Sequence, residues 1–169
     1  MKITSVQAAK MLRQLNDELA TLKENENLTR SFLAAVGEDV ESLRPDYDYE
    51  AVQVQYKEII CKIRKLKHAI NVFNSTQIIP EFDMTIDEML VYLPQLSERI
   101  CILAKMKNVM PKAREEGYGR SSSNIIDYRY ANYDIKKVAA DYAEMFEERS
   151  KAQTALDYIN STVEFDFEF

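Results

Sequence analysis

The sequence predicts a mainly α-helical fold, four long helices paired as two helical hairpins in one antiparallel bundle, and three observations carry that expectation. Glycine and proline are scarce, three and four in 169 residues, so little interrupts a helix over long stretches. Apolar residues recur alternately three and four apart through four separate segments. Two of those segments open on Thr-x-x-Gln or Thr-x-x-Glu, the pattern of a reciprocal helix cap. The length suits a single domain, 1–169, with a core large enough to stand without disulfides or a structural metal.

The first helix opens at Thr4, whose hydroxyl can accept from the Gln7 amide while the Gln7 side chain reaches back, with Ile3 and Ala8 as a staple. Its stripe is Ala8, Leu12, Leu15, Leu19 and Leu22, and the register resumes at Leu33 and Val36 before Gly37 stops it. The second helix should begin near Asp46 or Asp48, after Pro45, and follows Val52, Tyr56, Ile59, Ile63, Leu66, Ile70 and Phe73.

A second cap at Thr85-Ile86-Asp87-Glu88 starts the third helix, with Met84 and Met89 as its staple. Its stripe is Ile86, Met89, Leu93, Leu96, Ile100, Leu103 and Met110, and Pro94 should kink it or break it in two. The fourth helix is expected to start between Asn132 and Asp134 and to follow Ile135, Val138, Tyr142, Met145, Ala152, Leu156 and Ile159. Seven-residue repeats on helices of matched length favour shallow, coiled-coil-like packing.

Two segments carry a different period. Near 120–131, Ile126, Tyr128 and Tyr130 alternate with polar residues, and at the C-terminus Val163, Phe165, Phe167 and Phe169 alternate with Glu164, Asp166 and Glu168. Both read as strands. An isolated strand leaves backbone donors and acceptors unpaired, so 163–169 is expected to join 125–130, within one subunit or across a two-fold homo-oligomer. A tail folded back on its own bundle is the competing expectation. A faint internal repeat, 1–83 against 84–169, is marked by Asn74-Ser75-Thr76 and Asn160-Ser161-Thr162 at two helix ends, each followed by Glu-Phe-Asp.

The formal charge of −6 disfavours sequence-independent nucleic-acid binding, which needs a basic surface. The N-terminal segment lacks the apolar core of a secretion signal, no segment has the roughly 20 apolar residues of a membrane span, and Cys61 and Cys101 lack the spacing of a metal or redox pair. A cytoplasmic location with reduced thiols is the expectation. With one histidine, His68, no metal scheme assembles, and no cofactor motif is present.

Three sets of residues stand out. Glu26 and Arg149 intrude on apolar stripes, which suggests a polar pair inside the bundle, either structural or ligand-binding. Gly117 to Ser123 holds the ingredients of an anion nest, with Arg120 and Ser121 at its centre. Asn71 and Asn74, near the end of the second helix, are the side chains proposed to join Arg120 around a small anion. No serine sits in a nucleophile elbow.

Several short motifs, Ile70-Asn71 followed by Asn74 and Thr76, Met84-Thr85-Ile86-Asp87, Arg120-Ser121, Tyr133-Asp134-Ile135 and Ile159-Asn160, span most of the chain. In these the sequence resembles a family of short, uncharacterised bacterial proteins often labelled septicolysin. The resemblance implies a helical fold of unknown activity and supplies no mechanism. The expected function is therefore non-enzymatic: an oligomeric helical scaffold or protein-interaction protein. A small-anion or small-ligand binding protein is the alternative, and a pore-forming, cytolysin-like protein a distant one.

Overall fold

A computed structural model describes residues 1–114 and 127–169. Among them are five helices and six short strands: β1 (Lys2–Thr4), α1 (Ser5–Thr29), α2 (Val40–Leu43), α3 (Tyr49–Thr76), β2 (Ile78–Ile79), β3 (Met84–Thr85), α4 (Ile86–Lys107), β4 (Lys112–Arg114), β5 (Tyr128–Tyr130), α5 (Ile135–Thr162) and β6 (Glu164–Asp166). The fold is mainly helical as the sequence predicts, and the strands form three separate antiparallel pairs. The chain divides into two compact units, Met1–Gln77 with Tyr158–Phe169, and Ile78–Asp157. In the first unit α1 and α3 pack as a helical pair, and in the second α4 and the first part of α5 are joined by side-chain contacts.

In the first unit α1 packs along α3. The Thr4 cap forms as expected: the Gln7 amide donates to Thr4 Oγ1 at 3.3 Å and the Thr4 amide to Gln7 Oε1 at 3.0 Å. Asp48 caps α3 by accepting from the Ala51 amide at 3.1 Å. Ile3, Ala8, Leu15, Leu66 and Phe167 form the centre of the core, with Leu12, Ile63, Ile70 and Phe165 packed against it. Burial fades towards the other end of the pair, where Leu19, Leu22, Val52 and Tyr56 are only half-buried. A single partner helix cannot enclose a stripe on both flanks, so this end is a two-helix arm with an incomplete core.

The first helix is shorter than its apolar register suggests. It ends at Thr29, and the Arg30 amide closes it on the Glu26 carbonyl at 2.9 Å. The cause lies in α3, which cannot start before its Asp48 cap, so beyond Thr29 no facing helix exists to bury Leu33 and Val36.

The C-terminal strand finds a partner that the sequence did not suggest. β6 pairs with β1, with Ile3 opposite Phe165 and Thr4 opposite Glu164, and the terminal ammonium of Met1 donates to the Phe167 carbonyl at 2.8 Å. The expected pairing of 163–169 with 125–130 is thereby corrected. β5 pairs instead with β4, Tyr128 opposite Arg114 and Tyr130 opposite Lys112. Ile125 and Ile126, also expected in that strand, lie outside the described residues.

In the second unit α4 is one continuous helix through Pro94, not two. Its six expected stripe residues from Ile86 to Leu103 are all buried. Met110 lies beyond its end and is exposed. Asp134 caps α5, accepting from the Lys136 amide at 2.8 Å. Tyr92 donates to the Glu148 carboxylate and the Lys107 ammonium sits 3.4 Å from the centre of the Tyr142 ring, so α4 and the first part of α5 run antiparallel.

One junction occurs twice. Ser75 and Ser161 each donate at 3.0 Å to the carbonyl three residues back, and Thr76 and Thr162 each donate at 2.7 Å to the carbonyl four back. The strand that follows then pairs with one that ends on a capping threonine: Ile78 stands opposite Thr85, and Glu164 opposite Thr4.

Candidate functional site

The most unusual surface lies at the distal end of the α1/α3 arm. Between the two helices, residues 30–48 form a connection held by its own polar groups. The Ala35 amide donates to Glu38 Oε2 at 2.7 Å and the Glu38 amide to the Ala35 carbonyl at 3.1 Å. This turn carries Gly37 at φ 97°, a left-handed conformation that side chains with a Cβ adopt at a cost. Arg44 pairs through two nitrogens with Glu41, at 2.9 and 2.7 Å, and its guanidinium lies 5.7 Å from the Phe32 ring centre. That pairing lowers the Glu41 carboxyl and raises the Arg44 guanidinium from their ordinary values.

The connection presents apolar side chains to solvent. Val36, on the hydrogen-bonded turn, is 108% exposed, and Leu33, just before it, 96%. Exposed leucines are common singly. A bare side chain on a hydrogen-bonded turn, with a second just before it, is the less common case, because ordering such a side chain outward gains nothing in the isolated chain.

Glu26, expected in a polar core pair with Arg149, anchors this connection to the arm. Its half-buried Oε1 accepts from the Tyr47 hydroxyl at 3.2 Å and from Gln53 Nε2 at 3.3 Å. Partial burial and the Glu26 carboxylate raise the Tyr47 phenol above its usual value. Arg149 belongs to the other unit and is exposed, beside Phe146, Ser150 and Gln153 on the surface of α5. Intrusion on a stripe located Glu26, but its actual partners are Tyr47 in the connection and Gln53 on α3, polar positions off the apolar stripe.

Of the residues proposed around an anion, Arg120 and Ser121 lie outside the described residues. Asn71 is exposed and Asn74 half-buried. Asn74 Oδ1 is buried with no hydrogen-bond partner. That atom is an acceptor, so what would satisfy it is a donor. Among the described residues no cluster of three or more His, Cys, Asp or Glu side chains is placed to hold a metal.

A groove of about 450 Å³ runs between α1 and α3 on the arm, lined by Leu22 and Ile59 with Glu18, Asn25, Glu58 and Lys62 around them. Beyond it on α3 lie Lys62, Arg64, Lys65 and Lys67, all exposed, with no acidic residue in that run. The nearness of this run to the groove depends on the pairing of α3 with α1.

No family model and no curated protein matches the chain. Among solved structures the chain is similar to one from Corynebacterium diphtheriae, described as a functionally unknown conserved protein. The identity is 15% and the TM-score 0.61, over 98% of this chain and 100% of that one. At that identity the likeness shows a shared fold alone. No helix among the described residues is long and apolar enough to cross a membrane.

Proposed function

We propose that this chain is a non-enzymatic helical interaction or scaffold protein of the cytoplasm that engages its partner through the end of the α1/α3 arm. The observation that carries this reading is the exposure of Val36 on a hydrogen-bonded turn, with Leu33 exposed in the segment leading into it. A preordered apolar tip lowers the conformational cost of binding, and central apolar anchors dominate interface energetics. The incomplete core of the arm supports the same reading, since two helices with half-buried stripes gain burial from a third surface. The repeated Asn-Ser-Thr junction supports taking 1–83 and 84–169 as two copies of one helical-pair unit. Membership of the septicolysin-labelled family fits this picture as a proposal about fold, not about cytolysis.

The test is a photo-crosslinking residue at position 36, introduced into the full chain in its native cells. Adducts that form from position 36 and not from the exposed α5 position 146 would support the reading. No adduct from position 36 would sink it.

A second reading, small-ligand binding, is favoured by the unpartnered Asn74 Oδ1 alone. A thermal-shift screen of donor-bearing small molecules, amines, amides and sugars, addresses it, because ligand at a hundred times its dissociation constant stabilises by about 2.7 kcal/mol. A response lost in Asn74→Leu supports it, and a flat screen removes it.

A further inference from the structure

Independently of the arm, we propose that the outward face of the β4–β5 ribbon binds single-stranded nucleic acid, Tyr128 and Tyr130 each stacking on one base while Lys112 and Arg114 meet the phosphates beside them. The formal charge of −6 is unevenly spread along the chain. Residues 105–137 hold eight Lys and Arg against four Asp and Glu. A polyanion responds to the surface it meets, not to the sum over the molecule.

Register brings the four side chains together. Lys112 stands opposite Tyr130, and Arg114 opposite Tyr128. Directly opposed residues share a face, as do residues two apart along a strand, so all four lie on one side of the ribbon. Each is exposed, whereas Ala113, on the other side, is half-buried, which marks that side as the inner one. The Lys112 ammonium lies 4.2 Å from the centre of the Tyr128 ring and 5.5 Å from that of Tyr130, within reach of the phosphate of a base laid on either. The Ala131 amide donates to the Pro111 carbonyl at 3.1 Å and the Tyr133 hydroxyl to the Met106 carbonyl at 3.0 Å. These bonds bring the last turn of α4, with Lys105 and Lys107, and the first turn of α5, with Lys136 and Lys137, to the same end of the unit as the ribbon. Of the acidic residues in 105–137, Asp134 is engaged as the α5 cap, Asp127 adjoins β5, and Glu115 and Glu116 lie outside the described residues.

Ring spacing selects a single strand. Side chains two residues apart on a strand stand about 7 Å from one another. Bases stacked in a duplex are about 3.4 Å apart, so both rings take a base only where the bases have separated. Stacking on tyrosine accepts every base, which makes the expected binding indifferent to sequence. An anionic membrane also attracts cations, but it anchors a protein through apolar side chains sunk below the headgroups, and none of these four is aliphatic.

Fluorescence anisotropy of the full chain with a labelled oligothymidylate of about 12 nucleotides, at low salt, tests the proposal. Dissociation constants of about 1 to 100 μM are expected, with the duplex at least tenfold weaker. Tyr128→Ala with Tyr130→Ala should weaken binding at least tenfold, whereas Tyr128→Phe with Tyr130→Phe, which keeps both rings, should not. Lys112→Gln with Arg114→Gln should weaken it and reduce the slope of log affinity against log salt by about 1.4, the loss of two phosphate contacts. All four side chains are exposed, so circular dichroism and melting should be unchanged. Arg64→Gln with Lys67→Gln, on the basic run of α3, should leave binding intact. No binding up to about 300 μM protein, well above the weakest constant expected, overturns the proposal. Equal binding of the duplex, indifference to both ribbon pairs, or a loss caused by the α3 pair alone overturns it too. So does binding to phosphatidylserine vesicles without binding to the oligonucleotide, which would assign the face to a membrane. Crosslinking from position 36 does not involve this face, so the two readings stand or fall separately.

Discussion

The rings of Phe73 and Phe165 stack at 4.7 Å with 26° between their planes, which fastens the strand after α5 to the last turns of α3. Phe165 also stands opposite Ile3 in the β1–β6 pair, so one side chain joins three segments far apart in sequence. Phe165→Ala should lower stability by about 2 kcal/mol, a partly buried aromatic truncation with loss of its ring partner. Urea unfolding followed by circular dichroism would measure it. A change below about 0.5 kcal/mol, the range of ordinary surface substitutions, would mean that the strand is not held as described.

Thr85 and Glu88 cap α4 through a charged bond. The Glu88 carboxylate accepts from the Thr85 amide at 2.7 Å and from its hydroxyl at 2.9 Å, and these bonds lower its pKa from the ordinary glutamate value. Since the folded pKa is depressed, the contribution is present above the unfolded pKa and fades as pH falls through the folded one. Carboxyl NMR should find the Glu88 midpoint below those of solvated glutamates, and Thr85→Ala should raise it only part of the way, because the backbone amide that lowers it most is retained. Thr85→Ala should also cost about 1 kcal/mol, as loss of an N-cap does.

Tyr92 should be among the last of the ten tyrosines to ionise. Its hydroxyl donates to Glu148, and that bond, followed by burial and the carboxylate's charge, pushes the phenol up to about 12. A raised pKa means that the bond contributes fully below the unfolded value near 10 and is lost as pH rises towards 12. Tyrosinate absorbance should therefore lose one high-pH step in Tyr92→Phe, while Glu148→Gln should bring that step down. A titration curve unaltered by either change would argue against the contact.

Gly37→Ala should loosen the tip without touching the core. Nothing lies within 4 Å of the added Cβ, so the effect comes only from the positive φ, of order 1 kcal/mol and local to the turn. Amide exchange at Glu38, whose N–H bonds to the Ala35 carbonyl, should accelerate with the melting temperature unchanged. A cooperative loss of global stability would show that the connection belongs to the core.

The long helices were legible because each carries its reasons locally. The stripe from Val52 to Phe73 and the Thr4 and Thr85 caps involve residues three or four apart, which share a helix face or reach across one turn. What was not legible depends on partners distant in the chain. Lys2–Thr4 is too short to display a strand period, and only Phe165 and Phe167 make it one. Leu33 and Val36 keep the register of α1, yet register cannot reveal that α3 starts too late to face them. Glu26 was noticed as a charge out of place, but Tyr47 and Gln53, which satisfy it, looked ordinary. The basic run on α3 was visible, whereas the groove beside it exists only once α1 is laid alongside.

The recurrence of the Asn-Ser-Thr junction has a consequence for the time course of folding. β2 and β3 meet across the short turn from Pro80 to Asp83, where the Phe82 amide closes on the Ile79 carbonyl at 3.1 Å. β6 and β1 reach the same register across almost the entire chain, the Met1 to Phe167 bond spanning 166 positions. Loop closure grows slowly with length, about 0.6 kcal/mol for each doubling, so the long closure is costlier by about 3 kcal/mol. It becomes favourable only after α1, α3 and α5 have formed and brought Phe73 and Ile3 within reach of the tail. Lys2–Thr4, made before every other strand during synthesis, is thus the last to be paired.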